Sequence, residues 1–122
     1  MTNEITAAKA EFALDLQAAD LIVVDYVPER ITPPVIIINA GIPYLRPSSI
    51  GSEYVLNLEL VLVAATATNK TATERLDALL EAVLLAMPGY ARVIQAGQPY
   101  NLQTNNTEYL AVNVSTDVQI TI

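Results

Sequence analysis

The stretch Glu53-Tyr-Val-Leu-Asn-Leu-Glu-Leu-Val-Leu-Val-Ala-Ala65 decides the fold class. Tyr54, Leu56, Leu58, Leu60 and Leu62 fall on one side, and Glu53, Asn57 and Glu59 on the other. A period of two is the signature of a strand, and here it outweighs the helical preference of leucine. The end of the chain repeats the pattern. Leu110, Val112, Val114, Val118, Ile120 and Ile122 alternate with Ala111, Asn113, Ser115, Asp117 and Gln119. A strand of about a dozen residues is long against the usual five or six. It is expected to bend near Ser115-Thr116 or to reach past its own sheet towards a neighbour.

Working outward, residues 3–19 read as a helix. Asn3 can cap it, Glu4 suits the positive end of its dipole, and Ile5, Ala8, Phe12 and Leu16 share a face. Leu21–Tyr26 and Val35–Ile38 are short apolar runs without a polar side, which suits strands covered on both faces. Gly41–Ser52 reads as a loop, because two prolines and two glycines interrupt it. Thr71-Ala-Thr-Glu74 matches a capping box, and Leu76, Leu79, Leu80, Val83, Leu84 and Met87 follow at helical spacing until Pro88-Gly89. Tyr90–Ala96 reads as a strand and Gly97–Asn106 as a polar loop. The expected architecture is a single α+β domain over residues 1–122: a mixed, mainly antiparallel sheet packed by two amphipathic helices.

Composition narrows the function. Hydrophobic residues make up 52% of 122 positions and charged ones 16%, an unusual excess for so small a domain. The excess points to surface buried against other subunits, or else to an Ala- and Leu-rich core. No run is long and apolar enough to cross a bilayer as a helix, and the N-terminus lacks the basic-then-apolar layout of a signal peptide. A soluble protein made in a cytoplasm is expected, so the sequons at Asn69, Asn105 and Asn113 carry no weight. The chain has neither cysteine nor histidine, which removes thiolate chemistry and the commonest general base and metal ligand. Ser48, Ser49 and Ser52 lack a histidine to activate them, and the four glycines are too dispersed to cradle a phosphate. No enzyme signature, cofactor site or metal site emerges. The acids Glu74, Asp77 and Glu81 read as a solvated helix face.

Formal net charge is −7, and the six bases form no run, which argues against direct DNA binding. The candidate binding residues lie instead where aromatic, apolar and arginine side chains coincide: Tyr44, Leu45, Arg46 and Ile50 in one segment, and Tyr100 and Leu102 in another. Packing on the chain's own domain is the competing reading for both.

Taken together, the Ala-rich N-terminal helix, the proline-interrupted strands around Val35–Asn39 and the segment Tyr44-Leu-Arg-Pro-Ser-Ser-Ile resemble the tail terminator proteins of long-tailed bacteriophages. The strand Tyr54–Thr66, the helix Thr73–Met87 and the long final strand extend the resemblance over nearly the whole chain. It rests on element order, size and texture rather than on a signature motif. The resemblance implies a homo-oligomeric ring, usually a hexamer, that sits on the completed tail tube, ends its polymerisation and joins a head-side connector. DNA would pass through the ring without specific binding, and acidity would keep it from sticking. Arg30, Arg46 and Arg92 then become candidates for contacts with acidic neighbours. Another neck component, such as a connector or stopper, shares this texture; a small ligand- or peptide-binding module is a reading of a different class.

Overall fold

The computed structural model describes residues 3–24, 30–48, 53–66, 70–104 and 106–122. Two helices and six strands follow in the order α1 (Glu4–Gln17), β1 (Val23–Val24), β2 (Val35–Pro47), β3 (Glu53–Thr66), α2 (Lys70–Ala86), β4 (Ala91–Ala96), β5 (Tyr100–Thr104) and β6 (Thr107–Thr121). The sheet order is β1-β2-β3-β6-β4, with β5 also on β6. Only β1 and β2 are parallel; every other pair is antiparallel. The α+β class expected from the sequence is the observed one.

β3 and β6 form the spine, paired from Glu53 opposite Thr121 to Thr66 opposite Tyr109. β6 needs no bend or neighbour to justify its length. β3 pairs along it on one edge, while β4 takes Val114 to Val118 and β5 takes Thr107 to Ala111 on the other. The leucines of β3 meet Leu110, Val112, Val114 and Val118 of β6, together with Ile36 and Ile38 of β2. Phe12 and Leu16 of α1 and Leu76, Leu79 and Val83 of α2 close this core from above. Burying one such side chain contributes roughly 1.5–3 kcal/mol. Thr116 continues the inward row, fully buried, and its hydroxyl donates to the Leu58 carbonyl at 2.9 Å.

β2 carries a second cluster on its other side. Val35 and Ile37 join Ile31, Val61, Val63, Tyr109 and Ala111, and the Tyr109 hydroxyl donates to the Ile31 carbonyl at 3.2 Å. Residues 35–38 are thus buried on both faces, as their unbroken apolar run implies. Much of the apolar excess is used here, in two clusters on opposite sides of one sheet.

Several expectations need correction. The segment read as a loop from Gly41 is strand as far as Pro47, and a register shift between Ala40 and Leu45 absorbs Pro43. Among the described residues β1 pairs with Ile36 and Ile37 alone, so the prolines of β2 interrupt no described outer ladder. The segment 97–106 is not a loop either. β4 and β5 run in the same direction along β6 as one edge interrupted at Gly97-Gln98-Pro99, and the Gly97 N–H still donates to the Asn113 carbonyl at 2.8 Å. Thr104 pairs with Thr107, and Asn106 takes the positive φ of 63° that a tight hairpin demands. α2 already includes Lys70 and Thr71, so Thr71 lies within the first turn rather than at a capping position. Leu84 is 46% exposed instead of facing the core. Of Leu21–Tyr26, only Val23 and Val24 are strand, and 25–29 lie outside the described residues. At the other helix, Asn3 does cap α1, accepting from the Thr6 N–H at 2.7 Å.

Candidate functional site

The two faces of the sheet differ. α1 and α2 cover one, whereas the other is apolar only around the second cluster and then turns polar. Asn39, Asn57, Glu59, Asn113 and Ser115 line that polar half, each half-buried, and Asp117 is buried among them.

Arg46 and Arg92 meet on this open face. The bulge in β2 sets Leu45 opposite Leu56, on the helix side, and Arg46 opposite Val55, on the open side. Arg92 lies directly across from Asp117. Both guanidiniums donate to the same Asp117 oxygen, Arg46 Nη2 at 2.7 Å and Arg92 Nη2 at 3.2 Å. The carboxylate side chain is 9% exposed, against 45% for Arg46 and 74% for Arg92. Two cations thus share one nearly buried anion in an otherwise acidic chain. Each guanidinium carries five N–H donors, so donors remain for an external acceptor. An open groove of about 350 Å³ runs beside them, with Ser48, Val55, Tyr90 and Gln119 in its lining.

A second polar linkage crosses the same face. Asn113 donates to Glu59 Oε1 at 3.0 Å and accepts from the Tyr100 hydroxyl at 2.7 Å. Burial, and then the Glu59 charge, push the Tyr100 phenol above its ordinary pKa, with the Asn113 hydrogen bond opposing them. Where α1 meets the start of β4, the Tyr90 hydroxyl donates to Asp15. The Tyr90 phenol is raised further, first by burial, then by that bond and the charges of Asp15 and Glu11.

The remaining sequence candidates scatter. Tyr44 and Leu45 pack against the helix-side core, with the Lys9 ammonium 5.6 Å from the Tyr44 ring centre. Tyr100 and Leu102 pack on the second cluster. Arg30 is exposed at a bend ahead of β2, and Ile50 lies outside the described residues.

Asp117 was not among the candidates. Its signal was available, since it is the only charged residue after Glu108. The acids read from the sequence as a solvated helix face do lie on the exposed outer face of α2, where Leu84 and Leu85 join them. Steps of 100° place Glu74, Asp77, Ala78, Glu81, Leu84 and Leu85 within one arc of about 120°. All six are exposed, Leu85 to 82%. Other large apolar side chains left in water are Leu14, Ile22, Ile42, Ile94 and Ile122. A separate groove of about 470 Å³ lies between Pro33-Pro34 and α2, with Ala65, Arg75 and Leu79 among its lining.

Among the described residues, no group of three His, Cys, Asp or Glu could hold a metal ion, and no helix is long and apolar enough to cross a membrane. What this arrangement offers is charge and shape recognition across two broad surfaces. The chain matches no protein-family model, and no curated protein matches it.

Proposed function

We propose that this chain is a non-enzymatic structural protein of a long-tailed bacteriophage virion: a tail terminator that forms a ring on the finished tail tube. The observation that carries this reading is the placing of its unsatisfied surfaces. The leucine-bearing outer stripe of α2 lies on one side of the domain, and the polar half of the sheet, which no described element covers, lies on the other. A contact between unlike surfaces of successive copies is heterologous, and it closes into a ring when the rotation per copy divides a full turn. The sheet edges add to this. Among the described residues β2 has a two-residue partner on its outer side, and β4 and β5 end the sheet on the other. Unpaired edges invite coverage by a neighbour or by the tube.

The acidic balance of −7 fits the passage of DNA through a ring without adhesion. In this reading the partners are further copies of the chain, probed first as a hexamer, the tube protein and a head-side connector, and the site of action is the tail–neck junction of the virion.

The test is growth of the tube. Tube protein polymerising alone gives tubes of broad length distribution. Added during growth, this chain is expected to halt elongation and to mark one end of each tube in negative stain. Unchanged growth, with no density at either end, would overturn the reading.

A further inference from the structure

Resting on that ring reading, we infer that Arg46 and Arg92 of one copy receive the outer α2 face of the next, a second copy of this chain being the occupant of the open sheet face.

Charge complementarity selects the occupant. Arg46 and Arg92 share the single carboxylate of Asp117 and stay partly or largely exposed, and the outer stripe of α2 bears Glu74, Asp77 and Glu81 against Lys70 alone. The two surfaces lie on opposite sides of the same domain, because Arg46 pairs across from Val55 on the open face while α2 sits on the leucine side of β3. One copy therefore offers both halves of the contact.

The apolar residues repeat the match. Glu81 and Leu85 are one helical turn apart, about 6 Å along the axis. The half-exposed Ile94 follows Arg92 on β4, at the register shift between Val93 and Gln95. Leu85 and Ile94 are both apolar side chains left in water, one beside each charged surface, so a contact between the two surfaces can cover them. Nucleic acid is the poorer occupant. Two arginines already shared with one carboxylate, in a chain of net charge −7, give little phosphate affinity.

The experiment is a charge exchange read by tube capping. Arg92→Glu is the first variant, because its side chain is 74% exposed and Arg46 still holds Asp117. Asp77→Lys with Glu81→Lys is the second. Each is expected to lower the fraction of capped tubes about tenfold at fixed protein concentration, and the two combined in one chain should restore it. Urea unfolding confirms that each variant is folded. Because the chain has no cysteine, Arg92→Cys with Glu81→Cys adds an independent readout: oxidation on tubes should link copies into a ladder that ends at the ring. Wild-type capping that survives both charge variants, or a combined variant that stays inactive, would overturn the interface and leave the ring reading standing. So would loss of duplex DNA binding by Arg92→Glu with capping intact, which would assign the arginines to nucleic acid. Failure of the wild type to cap would remove the ring reading itself.

Discussion

Asp117 is the side chain whose removal the geometry prices most directly. Its carboxylate is nearly buried and is shared by two guanidiniums of unequal quality, Arg46 at 2.7 Å and 45% exposed, Arg92 at 3.2 Å and 74% exposed. A charged hydrogen bond away from water contributes about 1.5–3 kcal/mol. A pair at the surface contributes about 0–1 kcal/mol, since solvent screens it and two long side chains must be held still. Discounted for exposure, the Arg46 coupling should be about 1–1.5 kcal/mol and the Arg92 coupling about 0.5 kcal/mol or less. Asp117→Asn keeps the volume and an acceptor but loses the charge, so about 1–2 kcal/mol should disappear, or roughly 4–8 °C in Tm for a chain of this length. Urea unfolding of Asp117→Asn, Arg46→Met, Arg92→Met and the two double variants separates these numbers in double-mutant cycles. An Arg92 coupling as large as that of Arg46, or an Asp117→Asn variant as stable as the wild type, would refute the reasoning.

Three further outcomes follow from single contacts. Thr116→Val preserves shape at a fully buried site but deletes the donor to the Leu58 carbonyl, and should cost about 1–2 kcal/mol by chemical denaturation. A Cβ at Gly41 would stand 2.6 Å from Asn57 Cγ, so Gly41→Ala should destabilise by roughly 1 kcal/mol, and Asn57→Ala in the same chain should restore most of it. Tyr90 is raised above its ordinary pKa by burial and by Asp15, so the folded state holds its phenolic proton more tightly than the unfolded state. That stability is fully present below about pH 10 and is lost as pH rises beyond it, and Tyr90→Phe should flatten the decline in a pH series of unfolding midpoints.

The long strands and both helices were legible because one buried face stamps its period on the residues themselves. β3 and β6 show it as alternation, α2 as the spacing of Leu76, Leu79 and Val83. Even the two-sided burial of Val35–Ile38 could be read, since no polar residue interrupts it. What escaped depends on partners distant in the chain. β5 has half-exposed, mostly polar residues and is a strand because β6 supplies its hydrogen bonds. The far half of β2 contains Gly41, Pro43 and Pro47, which locally signal a loop and are tolerated only at an edge. Asp117 joins arginines 71 and 25 residues away, a meeting fixed by sheet register rather than by any local pattern. Two of the sequence candidates, Arg46 and Arg92, converge on one carboxylate, while Tyr44 and Leu45 lie half-buried against the helix-side core.

The central claim is that copies of this chain close into a ring at one end of a tail tube. Its most direct measurement is the copy number and rotational symmetry of the density at the ends of tubes grown with the protein, by electron microscopy with image averaging. A closed ring of one fixed copy number, confined to a single end, is expected. Decoration along the tube walls, or end density of variable copy number without rotational symmetry, would contradict it.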